Sequence, residues 1–301
     1  MTAPDATSTS SATDYLAIHR RKMQLARLRR IGFYLFVAAF VLFCLLPFIW
    51  TIITGFKSND AVFQSPTTYL PHPPVWTNWK KDLTTPRFTR AIYNSVIISS
   101  AATILSLLVG SVCAYSLARI RFPGKNFVLG TILAVAMFPG IAIISPLYLQ
   151  FSDWHLINNK LALILPAVTF TLPICIWTLN AFFRDLPLEL EEAARVDGCT
   201  RAQTFLRIVM PLAAPGVFTT AILLFIASWN EYLFARTFMN TQNAYTVTVA
   251  IAQFEGADMA SATPWGEIAA GAVIITLPLV LLVLIFQRRI VAGLTSGAIK
   301  G

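Results

Sequence analysis

Apolar residues in this chain gather into long unbroken blocks, and polar residues fall between them. Six blocks, at 31–55, 91–118, 127–149, 161–183, 216–235 and 268–287, reach the roughly 20 residues that a helix needs to cross a hydrocarbon layer. Only the fifth contains a charged side chain, Glu231, near its end. The pattern predicts an all-α integral membrane protein with six transmembrane helices. No internal repeat is visible.

The intervening segments differ in kind. The leader opens on "MTAPDATSTSSATD", small and polar, a composition expected to stay disordered. Its basic half, "HRRKMQLARLRR", is suited to anionic headgroups beside the first span. The loop at 56–90 contains "YLPHPPVWTNW", whose Pro and Trp predict extended stretches and a short interfacial helix. Between the fourth and fifth blocks, "RDLPLELEEAARVDGCTRAQTFLRIVMPLAAPG" reads as two short helices at an angle. Pro187 suits a first turn, and Glu189, Glu191 and Glu192 favour the positive end of a helix dipole. Gly198 supplies a left-handed stop, Thr200 with Gln203 matches a capping box, and Pro211 and Pro215 end the second helix. Leu190, Ala193, Ala194 and Val196 would give the first helix a small apolar side, and Phe205, Ile208 and Val209 one to the second. Such a pair is either a solvated amphipathic connector or a docking element.

Composition and charge then orient the picture. The chain is 56% hydrophobic and 12% charged, against roughly a quarter charged in soluble domains. Its formal charge of +9 comes from Lys and Arg flanking apolar blocks, without a basic face or interleaved aromatics, which argues against nucleic acid. Sixteen of the 23 Lys and Arg lie on the side of the N-terminus and seven on the other, so both termini and the helix pair are expected to be cytoplasmic. The four cysteines form no CxxC pair, and His19, His72 and His155 are far apart. Neither a disulfide framework nor a metal site is predicted.

At this point the residues resemble a family. "EEAARVDGCTRAQTFLRIVMP" is similar to the coupling motif of ABC importer permeases, with Glu192, Ala193, Ala194, Gly198, Ile208 and Pro211 in the motif positions. Met210 stands where the pattern usually has Leu. "YNSVIIS" from Tyr93, "AYSLARIRFPGK" ending at Lys125, "SWNEYLFA" from Ser228, "GEIAAGAVIITLP" from Gly266 and "FQRRIVAGLTSGAIKG" at the C-terminus resemble the carbohydrate branch. Within it they resemble the second membrane subunit of maltose importers, and especially the actinobacterial trehalose-importer permeases. The resemblance implies the type I ABC importer permease fold with a cytoplasmic coupling helix. It divides the chain into a disordered basic leader at 1–30, a first transmembrane helix with its outer loop at 31–89, a five-helix permease core at 90–288 and a cytoplasmic tail at 289–301. It implies as partners a second permease subunit in a heterodimer, two ATPase subunits that hold ATP and Mg, an extracytoplasmic sugar-binding protein and membrane lipid. The coupling helix would sit in an ATPase cleft, with Ala193 and Ala194 allowing close approach and Glu192 as anchor. Glu189 and Glu191 are read as solvated. The glycines of the tail would let it reach the ATPase interface.

No phosphate cradle is expected in the chain itself, because Gly124-Lys125 has Arg119 where a G-x-x-x-x-G-K loop requires Gly. The subunit is therefore read as a non-enzymatic part of an ATP-driven importer for an oligosaccharide, trehalose or maltose, working by alternating access. Glycerol phosphate is the alternative substrate, against which the spans offer no cation. A stand-alone ion-coupled carrier or channel is the alternative class, for which Glu231 would be the coupling group. Trp229, Asn230 and Glu231 are candidate wall residues of the sugar path. For Glu231 the competing reading is an interfacial carboxylate paired with Arg236. Asn94 and Asn180 are read as interhelical hydrogen-bond donors.

Overall fold

The structure is a computed structural model that describes the backbone at residues 7–256 and 263–298, and side chains within 23–254 and 263–287. The described residues are helices joined by turns and loops. The first helix, α1, runs Thr7–Gly55, so the leader expected to lack order is helical from Thr7 onward. For its basic half the reason is local: "MQLARLRR" at 23–30 consists of good helix formers and extends the helix of the apolar block. After α1 come the short helices α2 (Asn59–Phe63) and α3 (Thr77–Thr84), then the long α4 (Pro86–Arg119). Next follow α5 (Lys125–Ala136), α6 (Gly140–Asp153), α7 (Leu161–Asp185) and α8 (Glu189–Val196). The chain continues with α9 (Arg201–Leu212), α10 (Ala214–Trp229), α11 (Leu233–Phe238), α12 (Val247–Ala252) and α13 (Trp265–Ala298). The tail is thus helical up to Ala298, and residues 299–301 lie outside the described residues.

Four helices, within α1, α4, α7 and α13, are each long and apolar enough to cross a membrane, and two bent pairs pass the same test together. Counting each pair as one span gives six. One bend falls inside the third block, and the other lies just before the fifth, where Pro211 and Pro215 were expected to end the second helix of the pair. α5 and α6 meet at 81°, where Pro139 withholds an amide hydrogen and pushes Phe138 out of helical conformation. α9 and α10 meet at 78°, between Pro211 and Pro215. α10 covers about 24 Å at 1.5 Å per residue and stops at Trp229.

The centre of the bundle is the α4–α7 pair. α4 buries Ala91, Ser95, Ile98, Ala102, Ser106, Gly110, Ala114 and Leu117, mostly small residues at helical spacing, which lets two backbones approach where lipid supplies no hydrophobic drive. A Cβ on Gly110 would stand 2.6 Å from Cys175 Sγ. Polar groups close the same seam: Ser106 and Thr171 hydroxyls lie 2.7 Å apart, and Asn180 Nδ2 donates to Ala114 O at 3.1 Å. Asn94 Nδ2 donates to Asn243 O and Tyr245 O. Both asparagines therefore make interhelical or helix–loop bonds, as read from their apolar surroundings.

At the end opposite the α8–α9 pair, the Trp/Pro-rich segment acts as a clasp. Asn78 Nδ2 donates to Gly55 O and Lys57 O, Lys57 Nζ donates to Thr68 O, and Lys81 pairs with Glu267 at 2.6 Å. These bonds hold the end of α1 against the start of α13.

Candidate functional site

The helix pair forms as its punctuation demands. Gly198 has φ +84°, the left-handed conformation that a side chain penalises, and Cys199 N bonds back to Ala194 O at 2.9 Å. Thr200 Oγ1 accepts from Gln203 N at 3.3 Å while Gln203 Oε1 accepts from Thr200 N at 2.8 Å, a complete capping box. Pro187 lies just before the first helical residue, Glu189, rather than inside the first turn. α9 contains a π-helical turn at Phe205–Val209 before Pro211, a widening found where the regular ladder is interrupted.

α8 has two unlike faces. Glu192 and Ala193 are exposed, Leu190 is 41% exposed and Val196 87%. These four residues form a ridge turned away from the bundle. Ala194 is buried at 3%, so the small apolar side does not present Ala193 and Ala194 together: one faces out and the other packs into its own chain. The cause is the helical period, which sets adjacent residues about 100° apart. Among the described residues Glu192 pairs with Arg195, at 3.8 Å with both side chains more than half exposed. Phe205 and Val209 pack with Leu117, Leu179 and Phe183 in one core cluster. Ile208 is half-buried and Pro211 exposed.

Glu191, read as solvated, is buried. Its Oε1 accepts from Arg119 Nε at 2.6 Å and its Oε2 from the Tyr115 hydroxyl at 2.7 Å. Arg119 Nη2 also donates to Leu186 O at 2.9 Å. Beside this group lies a cavity of about 370 Å³ lined by Tyr115, Arg119, Arg121, Glu191, Arg195 and Arg201. The sequence carried one sign of this arrangement: Glu191 shares a helical face with Leu188, Ala194 and Arg195. That face could not be assigned inward without the partner helix.

The candidate path residues separate. Trp229 is 3% exposed, sits among Phe88, Ala91, Val247 and Ile274, and stacks on Phe225 at 5.6 Å between ring centroids. It is a core residue of the α4–α10–α12–α13 contact and faces no open path. Asn230 is exposed and returns Nδ2 to Ile226 O at 2.9 Å. Glu231 occupies the break between α10 and α11, where its carboxylate accepts from Phe234 N at 2.8 Å and Ala235 N at 3.0 Å. It caps α11, and this bond set replaces the expected pairing with Arg236. Next to it is a cleft of about 320 Å³ whose lining includes Phe138, Gly140, Phe170, Ser228, Glu231 and Phe234. The Ser228 hydroxyl there is buried without a partner. Sequence reasoning missed Ser228 and the aromatic residues because α5, α6 and α7 bring them together only after the bend at Pro139.

A family model described as "Binding-protein-dependent transport system inner membrane component" matches residues 72–296. The chain belongs to that family. Its bent pair of capped helices and its broken spans are therefore features of an importer permease. Among curated relatives, the trehalose transport system permease protein SugB of Mycobacterium tuberculosis is 42% identical over 259 residues, 86% of this chain and 93% of that protein. The trehalose/maltose transport system permease protein MalG of Thermococcus litoralis is 38% identical over 276 residues, 91% of this chain and 98% of that one. A sulfoquinovosyl glycerol transport system permease protein, SmoH of Agrobacterium fabrum, is 36% identical over 268 residues, 88% of this chain and 93% of that one. Among solved structures, a chain of a bacterial ABC transporter that imports the acidic polysaccharide alginate matches with a TM-score of 0.71 at 22% identity. That match covers 87% of this chain and 96% of the other, and it shows the type I ABC permease fold.

Proposed function

We propose that this chain is the membrane-spanning permease subunit of an ATP-driven importer that carries a neutral oligosaccharide, an α-linked glucose disaccharide such as trehalose or maltose, by alternating access. Both termini and the α8–α9 pair face the cytoplasm. A second permease completes the pathway, an extracytoplasmic binding protein delivers the sugar, and two ATPase subunits hold ATP and Mg beneath the membrane. The observation that carries this reading is the α8 ridge of Leu190, Glu192, Ala193 and Val196, exposed on a short helix that a left-handed glycine ends and that a capping box at the start of α9 follows directly. An apolar surface of that kind, with an exposed carboxylate at its edge, suits a protein cleft better than solvent.

The sugar class is supported by the names of two relatives and by the cleft lining, which includes Phe138, Phe170 and Phe234 and carries no Lys or Arg. Aromatic faces and a hydroxyl suit a polyol, whereas an anionic cargo would call for cations. Against the ion-coupled alternative stands Glu231, whose two oxygens are engaged by backbone amides of α11.

The test is reconstitution of the complete complex in proteoliposomes with its binding protein. ATP hydrolysis is expected to rise when the binding protein carries trehalose or maltose, and labelled sugar should accumulate only with ATP on the ATPase side. Accumulation driven by a proton or sodium gradient without ATPase subunits would refute the reading.

A further inference from the structure

We propose that the Tyr115–Glu191–Arg119 contact is the mechanical link by which movement of α8 reaches the membrane-spanning helix α4, with Glu191 and Arg119 as positioning residues. This rests on the reading of α8 as the ATPase-facing helix. The covalent joints of α8 are poor levers. Its N-terminal connection passes through Leu186, in extended conformation, and its C-terminal one through the left-handed Gly198. An eight-residue helix held only by those joints could tilt without moving the bundle.

The lateral contact removes that freedom. Tyr115 and Arg119 are one turn apart at the end of α4, and each bonds a different oxygen of Glu191. Arg119 also holds Leu186 O, so one guanidinium joins the end of α4, α8 and the end of α7. The Glu191 and Arg119 side chains are each 10% exposed. Apolar contacts such as those of Ala194 and Phe205 are non-directional and tolerate sliding. A buried carboxylate with both oxygens used does not, because any tilt exchanges charge-assisted bonds for unpaired charge. The surroundings add to this: Arg121, Arg195 and Arg201 line the same cavity, so the carboxylate also offsets neighbouring positive charge.

In proteoliposomes holding both permeases, the ATPases and the binding protein, the reading is sugar moved per ATP, together with stimulation of hydrolysis by loaded binding protein. Glu191→Gln is expected to keep basal hydrolysis and to lower sugar per ATP roughly tenfold. Tyr115→Phe, which removes one hydroxyl, should lower it about two- to threefold. The double variant Arg119→Met/Glu191→Met removes both members of the buried pair together and should assemble as well as the native chain; its sugar per ATP should nevertheless stay as low as that of Glu191→Gln. A structural role alone would let the double variant recover coupling along with assembly, and native sugar per ATP in it overturns the proposal, as does native coupling in Tyr115→Phe where Glu191→Gln fails to assemble. If the native complex shows no ATP-dependent transport, the reading of α8 fails first and this link falls with it.

Discussion

Gly110 and Glu231 show how much one position carries. The α4–α7 seam closes only because residue 110 has no side chain, with Cys175 Sγ 2.6 Å from where a Cβ would be. Gly110→Val is expected to destabilise the chain by about 1–3 kcal/mol as an overpacked interface, read as a lower melting temperature in detergent. Gly110→Ala/Cys175→Ala should recover much of the loss. Glu231 bears on mechanism. As a cap it should tolerate Glu231→Gln, which keeps an acceptor, while Glu231→Ala costs about 1 kcal/mol. Transport that survives Glu231→Gln fits the capping role; an ion-coupled carrier would be silenced by it. The sequence marked Glu231 as unusual because it is the one charge in an apolar block. Its role was not legible, since the cap depends on the chain breaking after Trp229.

Among the elements, the α8–α9 pair was the most legible and the least completely so. Gly198, Thr200 and Gln203 behave as read, because caps are local and their partners lie within four residues. Thr200→Ala should therefore cost about 1 kcal/mol and weaken ATPase stimulation, measured beside an unchanged membrane-inserted yield. The facing of α8 was not legible, because inward and outward faces are set by α4, far away in sequence. The ridge it presents gives a sharper expectation. Glu192→Arg and Val196→Asp should each lower sugar transport severalfold while insertion stays normal, with Val196→Asp the stronger if apolar burial dominates the contact. Native transport in both would remove the ridge from the interface.

The clasp of α3 against α13 adds a pH dependence at the same scale. Asp82 is 1% exposed, with Oδ2 buried and unpartnered. Burial, reinforced by Glu267 and opposed by Lys81, raises its carboxyl from 3.8 to about 7. The folded state thus holds the proton more tightly than the unfolded chain, so this group's contribution is most favourable below 3.8 and declines as pH rises through about 7. Asp82→Asn should flatten that slope and raise the melting temperature above neutral pH. An unchanged profile would mean that the carboxyl is hydrated in the membrane-bound protein.

For the whole molecule, the orientation expected from charge can be checked directly. A cysteine at exposed Asp197 should react with an impermeant maleimide only from the cytoplasmic side, and one at exposed Thr67 only from outside. The sequence by itself determined the number of apolar blocks, their mean positions, the capped helix pair and the family, because hydrocarbon thickness, helix period and cap chemistry act over a few residues or over a whole block. It also ended the second helix of the pair at Pro211 and Pro215, but did not give the bend at Pro139 inside the third span, since a proline in a helix can be absorbed, as Pro166 and Pro173 are inside α7. Only the tertiary structure decided which charges are buried. Glu191 and Glu192 are neighbours of identical chemistry; one is locked between Tyr115 and Arg119 and the other stands exposed beside Arg195, because packing against α4 selects one helical face and the sequence of α8 contains no record of where α4 ends.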